Sequence, residues 1–258
     1  MGAMIGRLLP MVLLLALLAP GTGFPLDTAG HRQLVVSLTG SWDDSRATLH
    51  RFEQSGGEWL RVGPEMPALV GRNGLGWDRS AAGALSGEPV KREGDGRAPA
   101  GIFPLPLTMG FSLLPPAGTT LPYRVIAAGT HCVDDPASAY YNRIVAETEL
   151  PGKPEALWRS SERMWELDLY RNLVVVGYNT FEPKRGDGSC IFIHIRRGPA
   201  EPTSGCTALS ADDLALLIAW FRPDLAPALV QLPRPVYERM WRRWRLPPPS
   251  LFPPLEFL

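Results

Sequence analysis

The chain has 258 residues, of which 45% are hydrophobic and 20% charged, a composition that is typical of globular proteins and excludes a disordered chain. Lysine plus arginine and aspartate plus glutamate both number 26, so the charge balance gives no sign of a nucleic-acid partner. The 27 prolines and 26 glycines disfavour a helical bundle and favour a loop-rich structure. We therefore predict a β-rich fold, a mixed β-sheet or β-sandwich with a few helices.

The N-terminus has the features of a secretory signal peptide, which we place at residues 1–23. Met1 to Arg7 is short and carries one arginine, Leu8 to Ala19 is apolar apart from Pro10, and small residues follow. The apolar run of about 12 residues is short for a helix that spans a membrane, which needs about 20. Export would place the protein in the periplasm or cell envelope, and an uncleaved signal that anchors the chain is the alternative.

Two glycine-containing segments follow in the first half of the chain. Residues 31–62 predict a β-meander, with Gly56-Gly57 as a hairpin turn. Lys91 to Phe103 mixes charged side chains with glycines, and we interpret it as a tight turn held by local hydrogen bonds rather than as a catalytic loop.

Polar side chains are concentrated after a predicted strand from Tyr123 to Ala128. His131 lies in the loop that follows and is one candidate for a general base. Asp134 and Tyr141 are candidates for substrate binding, because this segment can line a polar cleft for a peptide. A purely structural turn at Asp135-Pro136 is the alternative.

The next elements lead up to the part of the chain that carries the chemistry. Ser161 to Leu167 predicts a short helical piece, and Leu173 to Val176 predicts a strand that is buried on both faces. Tyr178 closes that strand. Its phenol can donate a hydrogen bond to an oxyanion, and packing in the core is the alternative.

The stretch from Ile191 to Ser210 combines a strand, a glycine turn and a helix start. Alternation in the strand places Phe192, His194 and Arg196 on one face. Ser210 is the predicted N-cap of an apolar helix. Gly205 can adopt a positive φ and leave backbone N–H groups open beside the thiol of Cys206.

These features permit nucleophilic catalysis by Cys206 with His194 as its base. The glycine turn and the helix that follows both favour a thiolate. The chain has three cysteines, Cys132, Cys190 and Cys206, so at least one is free or paired between chains. A catalytic Cys206 has to be free, and the other two are then either bridged or two buried thiols. The alternative is a disulfide-bonded Cys206 and a packed strand histidine.

Two motifs in this sequence resemble those of the L,D-transpeptidase (YkuD) family. His194 on a strand, followed by Thr203-Ser204-Gly205-Cys206, is similar to the catalytic motif of that family. The segment from Lys91 to Phe103 is similar to the loop that precedes it in family members. The resemblance covers roughly residues 34–220. The chain departs from the commonest pattern at Ser204, at Thr207-Ala208 and at Ile195, which bears on substrate choice.

The resemblance implies an L,D-transpeptidase-like catalytic domain over residues 31–222, acting on peptidoglycan stem peptides in cell-wall crosslinking or remodelling. Cys206 would be the nucleophile and His194 the base. Our candidates for positioning and oxyanion binding are Gly205, Ser204, Thr203 and Tyr178, and our candidates for substrate binding are Arg196, Asp134 and Tyr141. We expect no cofactor and no metal, because the four histidines lack ligand spacing. An L,D-carboxypeptidase or amidase that uses water, and a non-catalytic protein that binds the cell wall, remain alternatives.

Residues 223–258 differ in character, being rich in proline and arginine. We interpret them as a C-terminal strap docked on the catalytic domain. Val236 to Leu246 also has the pattern of a basic amphipathic helix, which makes a membrane-surface contact the alternative.

Overall fold

The computed structural model describes residues 28, 30–79 and 84–253, and the predicted signal peptide lies outside the described residues. The strands are Gln33–Thr39 (β1), Arg46–Ser55 (β2), Glu58–Leu69 (β3), Leu75–Trp77 (β4), Ala98–Pro104 (β5), Thr108–Gly110 (β6), Tyr123–Val125 (β7), Thr130–Cys132 (β8), Ile144–Ala146 (β9), Glu162–Arg163 (β10), Asn172–Val175 (β11), Phe192–Ile195 (β12), Thr207–Leu209 (β13) and Ala228–Pro233 (β14). The α-helices are Pro154–Leu157 (α1), Ala211–Trp220 (α2) and Arg234–Met240 (α3). Short 3₁₀ helices are Glu147–Glu149, Met164–Glu166, Asp168–Tyr170, Pro223–Leu225 and Pro249–Leu251. In this part of the chain no helix is both long and apolar enough to cross a membrane.

The described strands form one large sheet and one small sheet. The large sheet has 11 strands in the order β4-β5-β14-β1-β2-β3-β13-β12-β11-β6-β7. It is mixed, because β1 and β14 are parallel, as are β12 and β13, whereas β1 and β2 are antiparallel. The small sheet has the order β10-β8-β9. The prediction of a β-rich structure with a mixed sheet and few helices is confirmed.

The first strands follow the hairpin signal in the sequence. Gly56 and Gly57 both have positive φ, +60° and +87°, as a two-residue type I′ turn requires. Ser55 pairs with Glu58 across the turn. The second strand of the hairpin extends to Leu69, past the predicted end at Val62, because it continues to pair with β2 and then reaches β13.

The sheet separates two hydrophobic clusters at the strand that carries His194. Ile191 and Ile193 belong to the larger cluster, together with Leu214 and Leu217 of α2. Phe192 belongs to the smaller cluster on the opposite face. The predicted alternation along this strand is therefore confirmed within β12. The predicted N-cap is confirmed as well, since the Asp213 N–H donates to Ser210 Oγ at 3.1 Å.

The C-terminal segment is part of the sheet and not only a strap on it. β14 lies between β1 and β5 and is buried along its whole length. The boundary drawn at residue 222 therefore does not separate the sheet from the C-terminal residues. The apolar side of α3 is covered as well, because Val236, Tyr237 and Met240 lie in the larger cluster.

A second difference concerns residues 161–167. The predicted helical piece is instead the short strand β10 followed by one 3₁₀ turn at Met164–Glu166. Glu162 pairs with Cys132 of β8. This tertiary pairing overrides the local helical preference.

Candidate active site

The imidazole of His194 is held in one tautomer by a neighbouring carbonyl. His194 is 7% exposed, and its Nδ1 lies 2.8 Å from the carbonyl oxygen of Ile195. A carbonyl only accepts hydrogen bonds, so Nδ1 carries the proton and Nε2 is left as a base. The pKa of His194 is lowered to about 4, because burial and Arg197 lower it while the hydrogen bond to the Ile195 carbonyl raises it. The ring is therefore neutral at pH 7.

The loop before Cys206 is fixed by the hydroxyl of Thr203. Thr203 Oγ1 donates to the Cys206 carbonyl at 2.6 Å and accepts from the Gly205 N–H at 3.1 Å. Gly205 has φ +156°, and a Cβ there would stand 3.0 Å from the Arg97 carbonyl oxygen. This loop positions Cys206, as predicted for Thr203 and Gly205. The Gly205 N–H donates inside the loop, however, so it is not available to an oxyanion. The expectation of an open N–H group at Gly205 is therefore not met.

The thiol of Cys206 is buried between two backbone groups. The Phe192 N–H donates to the sulfur at 3.3 Å, and the thiol donates to the Cys190 carbonyl at 3.4 Å. In the resting site the thiol thus does not donate to His194.

Burial raises the pKa of the Cys206 thiol, and Glu162 raises it further, whereas the Phe192 N–H and Lys91 act in the opposite direction. The expected thiolate is therefore not favoured. The helix that was expected to favour a thiolate begins only at Ala211, after β13.

Two of the three cysteines are paired and one is free, as a catalytic thiol requires. Cys132 and Cys190 form a disulfide, and Cys206 is free. Because Cys190 also supplies the carbonyl that accepts the Cys206 thiol, the disulfide lies directly beside the candidate nucleophile.

His194 lies on β12, and Cys206 directly precedes the neighbouring parallel strand β13. His194 is in register with Ala208, two residues beyond Cys206, and side chains two apart share a strand face. Both residues line a cavity of about 180 Å³. The residues around it are Glu162, Leu167, Leu169, Tyr170, His194, Arg197, Glu201, Pro202, Thr203, Ser204, Cys206 and Ala208.

A second cavity, of about 250 Å³, adjoins Cys206 from another side. It is rich in ionisable side chains. Its lining residues are Arg72, Lys91, Glu93, Gly94, Asp134, Glu162, Ser189, Cys190, Ile191, Ser204, Gly205 and Cys206. Ser204 lines both cavities, and its hydroxyl accepts from Arg72 Nη1 at 3.2 Å.

Two predicted substrate-binding residues lie at or behind the second cavity. Asp134 lines it, and its buried Oδ1 has no hydrogen-bond partner among the described residues. Tyr141 does not line it. The Tyr141 hydroxyl donates to Glu93 Oε2 at 2.6 Å and accepts from the Gly188 N–H at 3.0 Å. Tyr141 therefore holds Glu93, which does line the cavity.

Two other predicted residues lie elsewhere. Tyr178 is part of the larger cluster; its hydroxyl donates to the Asp187 carbonyl, and it lines neither cavity, so the structure favours the packing alternative. Arg196 lines a neighbouring cavity without Cys206. β12 ends at Ile195, so the alternation does not extend to Arg196, and it is Arg197 that lines the cavity of His194.

The rival base, His131, is fully engaged in structural contacts. Its Nδ1 lies 2.8 Å from Ser161 Oγ, and its Nε2 lies 2.8 Å from Glu147 Oε1. Its ring packs against Trp165 with centroids 5.0 Å apart. His131 lines neither of the two cavities beside Cys206.

The first turn of the loop from Lys91 to Phe103 is organised around the carboxylate of Asp95. Asp95 accepts from Lys91 Nζ and from the backbone N–H groups of Arg92 and Arg97, at 2.7, 2.7 and 2.9 Å. This is the locally hydrogen-bonded turn predicted from the sequence. Lys91 is buried and reaches the second cavity.

One residue of the site was not identified from the sequence. Glu162 is half-buried and lines both cavities. The Tyr170 hydroxyl donates to Glu162 Oε2 at 2.6 Å, and the Tyr170 ring packs against His194 with centroids 5.5 Å apart. The pKa of Glu162 is raised to about 7, because burial, Asp134 and Glu93 raise it while the Tyr170 hydrogen bond lowers it.

The described residues contain no group of three or more His, Cys, Asp or Glu arranged to hold a metal ion. Comparisons with protein-family models, with curated proteins and with solved structures give no match to this chain.

Proposed function

We propose that the protein is a cysteine-dependent L,D-transpeptidase that acts on peptidoglycan stem peptides through an acyl-enzyme on Cys206. One observation carries the proposal: a free thiol shares a cavity with a histidine whose Nδ1 is committed to a carbonyl and whose Nε2 is a base. That pair is what nucleophilic catalysis by cysteine requires.

The reaction begins with a neutral thiol, since burial raises the pKa of Cys206. Nε2 of His194 takes the thiol proton as the sulfur attacks the carbonyl of the third residue of the stem peptide. The C–N bond to the terminal D-alanine then breaks, and the imidazolium returns its proton to the leaving amine. Gly205 N–H donates to Thr203, which leaves the N–H of Cys206 as the backbone donor for the oxyanion.

A thioester on Cys206 is resolved by an amine or by water. An amine from a second stem peptide gives a crosslink, whereas water gives a trimmed peptide. The substrate class rests on the resemblance of His194, the Thr203–Cys206 segment and the Lys91–Phe103 loop to the family motifs. The location that suits this substrate is the periplasm or cell envelope, which the predicted signal peptide supports.

The test is incubation of the purified protein with a disaccharide tetrapeptide and analysis of the products by mass spectrometry. We expect release of D-alanine together with crosslinked dimer, and Cys206→Ser is expected to give neither. Trimmed peptide without dimer would identify a carboxypeptidase instead. No consumption of the tetrapeptide by the wild-type protein would contradict the enzymatic proposal and leave a non-catalytic protein.

A further inference from the structure

The two cavities beside Cys206 share three lining residues: Cys206, Ser204 and Glu162. Cys206 is the candidate nucleophile, and the Ser204 hydroxyl already accepts from Arg72. Among the described residues that line these cavities, Glu162 is thus the one carboxylate that borders both. A group in this place can contact a molecule that enters from either side of the thiol.

The backbone of Glu162 is connected to the nucleophile by a short series of contacts. Glu162 pairs with Cys132 in the small sheet, and Cys132 is bonded to Cys190. The Cys190 carbonyl in turn accepts the Cys206 thiol. The carboxylate is therefore linked to the nucleophile through one strand pair and one disulfide, and its place does not depend on a loop alone.

One oxygen of the Glu162 carboxyl group accepts a hydrogen bond from the described residues, and the other does not. Tyr170 donates to Oε2 at 2.6 Å. Oε1 receives no hydrogen bond from the part of the chain that the structure describes. An available carboxylate oxygen beside a reaction centre can accept a hydrogen bond from an incoming ammonium group.

An amine acceptor has to lose two protons during the reaction. A primary amine with a pKa of about 8 to 10 arrives as an ammonium ion at pH 7, and it has to lose one proton before it can attack the thioester. It loses a second proton as the amide forms. His194 has returned its proton to the first leaving group, and its low basicity suits the second transfer better than the first.

We propose that Glu162 binds the ammonium group of the acceptor and takes its first proton, so that the enzyme selects amine acceptors over water. This inference rests on the proposed function. The carboxylate accepts H⁺ from R–NH₃⁺, and the free amine attacks the thioester carbonyl. The C–S bond then breaks as the C–N bond is completed, His194 takes the second proton, and that proton restores the Cys206 thiol. Glu162 releases its proton to solvent.

The charges that face Glu162 agree with this role. Asp134 and Glu93 line the same cavity and raise the pKa of Glu162, as burial does, while the Tyr170 hydroxyl lowers it. Lys91 faces Cys206 from the same side, and Arg197 faces Tyr170 and His194. Lys91 is paired with Asp95 at 2.7 Å, and Arg72, the other cation that lines this cavity, donates to Ser204. Among the described residues, neither cation forms a salt bridge with a carboxylate of this cavity.

The experiment separates acylation from acyl transfer. The wild-type protein, Glu162→Gln and the control Glu238→Gln are acylated with a tetrapeptide, and the acyl-enzyme is then divided between a primary amine acceptor and water. Glu238 is a suitable control because it is exposed, pairs with Arg234 and lines neither cavity. Gln keeps an acceptor for Tyr170, so Glu162→Gln is expected to fold.

We expect Glu162→Gln to acylate within about threefold of wild type but to transfer to the amine on the order of 100-fold more slowly, with hydrolysis little changed. Wild-type aminolysis should fall as pH drops through about 7, where the carboxylate of Glu162 becomes protonated. Glu162→Gln should show no midpoint there, only the steady fall, about tenfold per pH unit, that the shrinking fraction of free amine imposes. Tyr170→Phe removes a hydrogen bond that lowers the pKa of Glu162, so the midpoint should move to higher pH.

Equal amine transfer by wild type and Glu162→Gln would overturn the inference while leaving the proposed function intact. Should Glu162→Gln fail to fold, an unchanged midpoint in Tyr170→Phe would overturn it as well. A wild-type protein that the tetrapeptide never acylates would overturn the proposed function and, with it, the role of Glu162.

Discussion

The chemistry of His194 is set by its backbone neighbour. The carbonyl of Ile195 fixes the proton on Nδ1, so no acidic side chain is needed to orient the ring. Tyr170 packs against its face. His131, by contrast, has both ring nitrogens committed to Ser161 and Glu147. These two histidines therefore differ, because His194 keeps one ring nitrogen available to a cavity whereas both ring nitrogens of His131 are engaged.

This contrast gives a paired prediction. His194→Ala should lower the rate of Cys206 acylation on the order of 100-fold or more, because the thiol loses its general base. His131→Ala should acylate within about tenfold of wild type. The measurement is the rate of adduct formation with a carbapenem, followed by mass spectrometry with circular dichroism as the fold control. Normal acylation in His194→Ala together with failure in His131→Ala would identify His131 as the base.

At the residue scale, the sequence could predict the groups that lie in one contiguous segment. His194, Thr203, Gly205 and Cys206 occur within 13 residues, so strand alternation and turn chemistry place them without knowledge of the fold. Glu162 reaches the site through a tertiary strand pair, which leaves no local pattern to detect.

Among the elements, the strand order around β12 positions the two reactive side chains. β12 lies between β11 and β13, and its parallel pairing with β13 sets His194 opposite Ala208. The disulfide joins the end of β8 to the residue just before this region, Cys190. It closes a loop across 58 residues, so it restrains the unfolded chain as well as the site.

Removal of the disulfide should therefore lower both stability and activity. Chain-entropy arguments give about 4 kcal/mol for a loop of this length, and we expect the Cys132→Ser/Cys190→Ser variant to lose about 2–4 kcal/mol in the free energy of unfolding. Urea denaturation of the two proteins measures this. An unchanged unfolding midpoint would show that the disulfide does not stabilise the protein.

The element that the sequence concealed is β14. Residues 228–233 are a short apolar run between prolines, within a segment that composition alone sets apart from the domain. In the structure the strand is central, and Gln231 accepts from the Thr207 hydroxyl at 2.8 Å and donates to the Pro99 carbonyl at 2.9 Å. Because β14 pairs with β1, which is far away in the sequence, no local pattern identifies its partner.

The whole molecule should be sensitive to acid, and a histidine far from the site contributes to this. Burial, with smaller contributions from Arg61 and Arg234, lowers the pKa of His50 to about 4. Its Nδ1 has no hydrogen-bond partner among the described residues and lies 4.0 Å from Glu65 Oε2. Between pH 6.5 and 4 the unfolded chain binds a proton at this residue that the folded protein does not.

The stabilisation from neutral His50 is thus present above pH 6.5 and decreases as pH falls toward 4, by on the order of 3 kcal/mol. His50→Phe should lose less stability than wild type over this range, because it has no group to protonate there. Denaturation at pH 7 and pH 4.5 gives the comparison. An equal loss in both proteins would show that His50 does not cause the acid sensitivity.

The central claim for the whole molecule is that Cys206 accepts an acyl group within an otherwise disulfide-bonded chain. The most direct test is intact-protein mass spectrometry of the wild type and Cys206→Ser after incubation with a carbapenem, followed by peptide mapping. We predict one adduct per wild-type chain, located on Cys206, and none on Cys206→Ser. An adduct elsewhere, or an unmodified wild-type chain, would contradict the assignment of Cys206 as the nucleophile.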